Sequence, residues 1–79
     1  MRGEEDRLRS AIAMEREKRE ISQRELSIEL GWHPATIGKI ERGERRVSVI
    51  ELLDIARALS LDPQVLLTTC LESKQSQAQ

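Results

Sequence analysis

Phenylalanine and tyrosine are absent from this chain and Trp32 is its only aromatic residue, so Leu, Ile and Val must fill any core it builds. That favours helix packed on helix. The single cysteine, Cys70, excludes an internal disulfide, and with the single histidine, His33, it falls far short of a structural zinc set. No metal and no cofactor is expected. Apolar residues nowhere approach the run of ~20 that crosses a bilayer, and the opening Met1-Arg2-Gly3-Glu4-Glu5-Asp6 lacks the apolar stretch of a signal peptide. The expectation is a cytoplasmic protein without membrane contact. At 79 residues the chain hides only a little over ~60% of the surface it would expose unfolded, which leaves room for one core and excludes a large enzyme. A nucleophile with its base, a phosphate loop and a metal set are all missing, so no enzymatic activity is expected.

Charge of one sign is also lacking overall: 13 Lys and Arg stand against 14 Asp and Glu, a net of −1, which argues against a generally basic nucleic-acid binder. The distribution is uneven. Residues 1–30 hold seven cations and eight anions, residues 31–48 four and two, and residues 49–79 two and four. The positive excess is central.

What the chain does have is helical patterning with clear punctuation. From Glu5 to Glu20, Leu8, Ala11, Ile12 and Glu15 or Arg16 recur at three- and four-residue steps without a breaker. Ser22-Gln23-Arg24-Glu25 reads as a capping box, which starts a second helix at Gln23. Leu26 and Leu30 carry that helix to Gly31, a residue able to turn the chain in the left-handed region. Pro34 suits the first turn of a third helix, expected over about Pro34 to Arg42, with Ile37 and Ile40 facing the core and Gly43 as its stop. Ser48 can cap a fourth helix in which Ile50, Leu53, Ile55, Ala56 and Leu59 are expected to point inward, ending near Ser60. Asp62-Pro63 opens a fifth, apolar around more than one face through Val65, Leu66, Leu67, Cys70 and Leu71. The spacing thus predicts an all-α, five-helix domain over residues 1–71, followed by a disordered polar tail over residues 72–79.

A short helix, a glycine turn and a second short helix let one helix enter a major groove while the other braces it. Residues 8–71 resemble the phage-repressor and Cro-type helix-turn-helix family, also called XRE-like. The match lies in Leu8 and Arg16, Ser22-Gln23-Arg24-Glu25-Leu26, Leu30-Gly31, Thr36-Ile37, Ile40-Glu41-Arg42-Gly43, Leu53 to Ala56 and Ala58-Leu59. Helices two and three are then the helix-turn-helix of a repressor-like domain. Three positions depart from the family pattern: Ser27 stands where Ala is usual, Trp32 where a smaller aliphatic is usual, and His33 where Ser or Thr caps.

On helix three, advancing ~100° per residue from Ile37 puts Ile40 and Glu41 on the core side and Ala35, Lys39 and Arg42 opposite. Those three should face the groove. Lys39 can donate to guanine O6 and N7, Ala35 with Pro34 offers apolar contact to a thymine methyl, and Thr36 flanks them. The plainer alternative for Lys39 and Arg42 is a solvated face. The resemblance places Ser22, Gln23 and Arg42 near phosphates, with Arg45 and Arg46 extending that footing. His33 is either a surface cap or a base reader, and Gly38 marks close backbone approach to DNA or to a neighbouring helix. Arg16 and Glu41 sit on apolar stripes, and the resemblance implies a structural ion pair between helices one and three.

One such domain reads only about four to six base pairs, so double-stranded DNA bound by a homodimer is the expected partnership. Leu66, Leu67, Cys70 and Leu71, with the end of helix four, are the expected interface. The alternative partner is a protein, such as a toxin or a polymerase subunit, recognised by the same fold.

Overall fold

A computed structural model describes the backbone of residues 3–78 and the side chains of residues 3–71. Five helices follow one another: α1 (Gly3–Lys18), α2 (Gln23–Glu29), α3 (Thr36–Glu41), α4 (Val49–Ala58) and α5 (Pro63–Ala78), with no strand among the described residues. The core is aliphatic throughout, as the missing aromatics require. Ile12, Leu26, Ile37, Ile40, Ile55 and Leu66 are fully buried, and Leu8, Ile21, Leu30, Trp32, Val47 and Leu61 close its edges.

Two helices begin the same way. Ser22 and Ser48 each accept a bond from the N–H three residues on, while Glu25 and Glu51 reach back to the serine N–H, so α2 and α4 both carry complete capping boxes. Each box satisfies two N–H groups that a helix start leaves without a partner.

Four helices end the same way too. After α1 to α4, residues Glu20, Gly31, Gly43 and Ser60 take φ values of 56°, 77°, 80° and 57°. Behind them the N–H groups of Ile21, Trp32, Glu44 and Leu61 donate to the carbonyls of Arg16, Ser27, Lys39 and Ala56. This is the six-to-one closure of a Schellman turn, and at three of the four ends the donating residue is apolar and packs on the core. The fourth is Glu44, which is exposed.

The observed boundaries depart from the expected ones at α1, α3 and α5. The first helix starts at Gly3 and ends at Lys18, two residues earlier at each end, with Glu4, Glu5 and Asp6 in its first turn where the helix dipole favours anions. The third starts at Thr36, not at Pro34, because residues 33–36 first close a turn in which the Thr36 N–H donates to the His33 carbonyl. The backbone of α5 continues past Leu71 to Ala78, and the expectation of a disordered tail over residues 72–79 falls on side chains outside the described residues.

Two side chains expected elsewhere are also relocated. Ile50 is 66% exposed rather than inward, because the phase of α4 is set by Leu52, Ile55, Ala56 and Leu59, and Ile50 lies ~200° round the helix from Leu52. Leu66, expected at a subunit interface, is fully buried in the chain's own core and has no surface to offer a partner.

Candidate nucleic-acid interface

The third helix has only six residues, too few to hold its own orientation, so its neighbours must fix it. Its N-cap residue, Ala35, has no side chain able to cap. The missing acceptors come from outside the helix. His33 Nδ1 accepts from the Ala35 N–H at 3.1 Å, and the fully buried Ser27 Oγ accepts from the Ile37 N–H at 3.0 Å. The same hydroxyl donates to the Gln23 carbonyl at 2.9 Å, so one oxygen ties the interior of α2 to the first turn of α3. His33 thus acts as a local cap. The role of Ser27 was not foreseen from its size, and the signal for it was its polarity at a small, core-facing position.

The other end of α3 is clamped through Glu41. Arg16 Nε and Nη2 donate to its two carboxylate oxygens at 2.8 and 3.0 Å, and Gln23 Nε2 donates to Oε1 at 2.7 Å. Arg16 also donates to the Ile21 carbonyl at 2.8 Å, and Arg9 to the Glu41 carbonyl at 3.2 Å. The side chains of Arg16 and Glu41 are only 10% and 8% exposed, so this forked pair is largely withdrawn from water. The hydrogen bonds it donates to Glu41 outweigh the burial and push the Arg16 guanidinium's pKa further up, keeping it charged at any ordinary pH. Helices α1 and α2 therefore converge on one carboxylate of α3.

Gly38 belongs to the same clamp. A Cβ built there would come within 3.0 Å of Gln23 Oε1 and 3.1 Å of an Arg42 nitrogen, so the close approach is to a neighbouring helix. Gln23, expected near phosphate, is half-buried and donates to Glu41 with one N–H.

With its inner face held, α3 presents Ala35 and Lys39 to solvent, with Arg42 just past its end; Pro34 and Thr36 are half-buried beside them. Beyond α3, Arg42, Arg45 and Arg46 share a groove with Arg9 from α1, and Glu5 and Asp6 line it too. Arg45 lies over the Trp32 ring, 5.8 Å from its centroid, which steadies a side chain that would otherwise be free in a loop. Ser22, at the start of α2, is exposed, with its hydroxyl accepting the Glu25 N–H. Every arginine after α3 has a carboxylate neighbour. Arg42 pairs with Glu44, Arg45 with Glu51, and Arg46 with Glu5. The hydrogen bond from Arg42 holds the Glu44 carboxyl below the usual carboxylate range, and Arg45 followed by the Ser48 N–H does the same for Glu51.

Several large apolar side chains are exposed away from α3. Val49 and Ile50 at the start of α4 are 73% and 66% exposed, and Val65, Leu67 and Leu71 on α5 are exposed as well. Cys70 is half-buried, donates from Sγ to the Glu4 carbonyl at 3.0 Å, and has its thiol pKa raised by burial and then by the Glu4 charge. Among the described residues, no group of three metal-ligating side chains comes together and no helix is long and apolar enough to cross a membrane.

This geometry agrees with what the sequence resembles. Residues 12–66, from the middle of α1 to the first turn of α5, match the helix-turn-helix family. No curated protein matches the chain.

Proposed function

The chain belongs to the XRE-type helix-turn-helix family of DNA-binding regulators, and on that premise we propose that it binds double-stranded DNA sequence-specifically as a homodimer on an inverted repeat, as a repressor or autoregulator of transcription. The observation that carries the reading is Lys39. It stands exposed on a helix whose opposite face is clamped by Ser27, Gln23 and Arg16, so a donor is held outward at a fixed angle where a groove would meet it. Ala35, Pro34 and Thr36 border it, His33 adds a ring nitrogen, and Ser22, Gln23, Arg42, Arg45 and Arg46 supply phosphate contacts. Two copies are needed because one short helix reads too few base pairs. Leu67 and Leu71, with Cys70 beside them, supply apolar area for the second copy.

The test is selection of bound sites from random duplexes, followed by paired titrations of two variants. Lys39→Ala should cost ~1 to 3 kcal/mol on the selected site and relax preference at one symmetric pair of positions. Arg46→Ala should instead weaken selected and random duplexes by the same factor and lower the salt slope by about one. If Lys39→Ala leaves discrimination intact at every position, α3 does not read bases through that side chain. Sedimentation showing only monomer at ~100 μM would remove the homodimer.

A further inference from the structure

The cations that would meet DNA phosphates are already occupied. Arg42 Nε donates to Glu44 Oε2 at 3.0 Å, Arg45 Nη2 donates to Glu51 Oε2 at 2.7 Å, and Arg46 Nε lies 3.5 Å from Glu5 Oε2. The three carboxylates come from three separate places: the turn closing α3, the first turn of α4 and the first turn of α1. That convergence is not a consequence of neighbouring positions on one helix. A carboxylate offers a guanidinium fork the same kind of oxygen pair that a phosphate does, and one fork cannot be held fully by both.

We propose that Glu5, Glu44 and Glu51 act as internal phosphate mimics, so that duplex binding is an exchange in which these carboxylates give up their arginines to DNA phosphates. The proposal rests on the duplex-DNA reading above and concerns how strongly that site binds. The pairs are partly solvated, with Arg46 and Glu5 89% and 53% exposed, so each opposes binding by a small factor and none blocks it. An exposed ion pair shifts such an exchange by about two- to fivefold. Salt dependence changes as well. Each phosphate neutralised releases a condensed counterion, whereas a lone carboxylate set free draws cations back only weakly, so the salt slope is somewhat shallower than the number of arginine–phosphate contacts.

Glu44→Gln and Glu5→Gln test the proposal at carboxylates that have no second role in a capping box, as Glu51 has. Glu29→Gln on α2 is the control for loss of one negative charge, since among the described residues Glu29 forms no ion pair. The probe is a mixed-sequence duplex of ~20 base pairs, long enough for two half-sites one helical turn apart. Glu44→Gln and Glu5→Gln should each bind it about two- to fivefold more tightly than the control, with a steeper salt slope. The gain from Glu44→Gln should vanish in an Arg42→Gln background, and that from Glu5→Gln in an Arg46→Gln background. If either variant binds no more tightly than Glu29→Gln, or its gain survives loss of its arginine, the exchange does not operate. If the parent and all variants bind no duplex, the DNA reading itself fails. Retention on heparin, a polyanion without bases, then decides the exchange alone: the same ranking of variants supports it and a ranking by net charge overturns it.

Discussion

The face built by α2 and α3 and the surface built by the start of α4 and the outside of α5 treat polarity in opposite ways. On the first, Ser27, Gln23, Arg16 and Glu41 are drawn inward and bonded to one another, and a six-residue helix is fixed in space by them. On the second, Val49, Ile50, Leu67 and Leu71 lie bare in water. The aliphatic core accounts for compactness, but apolar contacts are non-directional and cannot fix the roll of so short a helix. Directional bonds to buried groups can, and they appear where orientation matters. The bare surface contributes little to the fold of one copy and is free to serve a partner.

That contrast can be broken most decisively at Glu41. Glu41→Ala leaves the Arg16 guanidinium buried without its carboxylate, and a loss of ~3 kcal/mol or more is expected in chemical denaturation. Adding Arg16→Met should recover much of it, and a single mutant that unfolds like the parent would show that the pair braces nothing. Next comes Ser27→Ala, which strips the Ile37 N–H of its acceptor at a fully buried site and should cost ~1 to 2 kcal/mol. Hydrogen exchange at the Ile37 amide should accelerate more than global stability falls, and unchanged protection there would remove the capping role.

A smaller change of opposite sign is expected at the two helix ends that lack glycine. Glu20→Gly and Ser60→Gly relieve side chains held at φ values of 56° and 57°, and each should gain about 0.5 to 1 kcal/mol, read as a higher midpoint in denaturant. A fall at both would mean that those side chains hold the turns by contacts of their own. The smallest effect on the fold belongs to the bare surface. Leu67→Lys should leave monomer stability within ~0.5 kcal/mol while lowering the sedimentation mass at high concentration. Loss of several kcal/mol would instead place Leu67 with the core.

Much of the architecture was legible because it is written locally. Ser22 and Glu25 announce a helix start, Gly31 and Gly43 announce two stops, and aliphatic residues at three- and four-residue steps mark the inner faces. The ends near Glu20 and Ser60 were legible, but their left-handed turns were not, since neither residue favours that region. They are imposed by Ile21 and Leu61, whose burial on the core draws the chain into the turn. The box at Ser48 and Glu51 repeats the spacing of the first, and Ser48 alone is enough to mark the helix start. Inward placement of Ile50 fails because Val49, Ile50, Leu52 and Leu53 flank a single Glu51 and leave the helix phase ambiguous until Leu52 is seen to be buried. At the candidate interface, exposure of Lys39 follows from periodicity alone. The pairing of the loop arginines does not, because Glu5, Glu44 and Glu51 lie at unrelated distances along the chain.

Repeated Schellman closure has a practical consequence for anyone who would lengthen this protein. Corners at residues 19–22, 30–33 and 59–62 are sealed by backbone bonds and by an apolar residue seated on the core, so an added residue there would tear out both. Past Gly43 the seal is made by Glu44, an exposed side chain, and the chain to Ser48 runs without helix. Loop length adds only about 0.6 kcal/mol of closure cost per doubling. Residues 44–46 are therefore where extra sequence disturbs the five helices least, at the cost of the Arg45 and Arg46 contacts, while Val47 has to stay seated on the core.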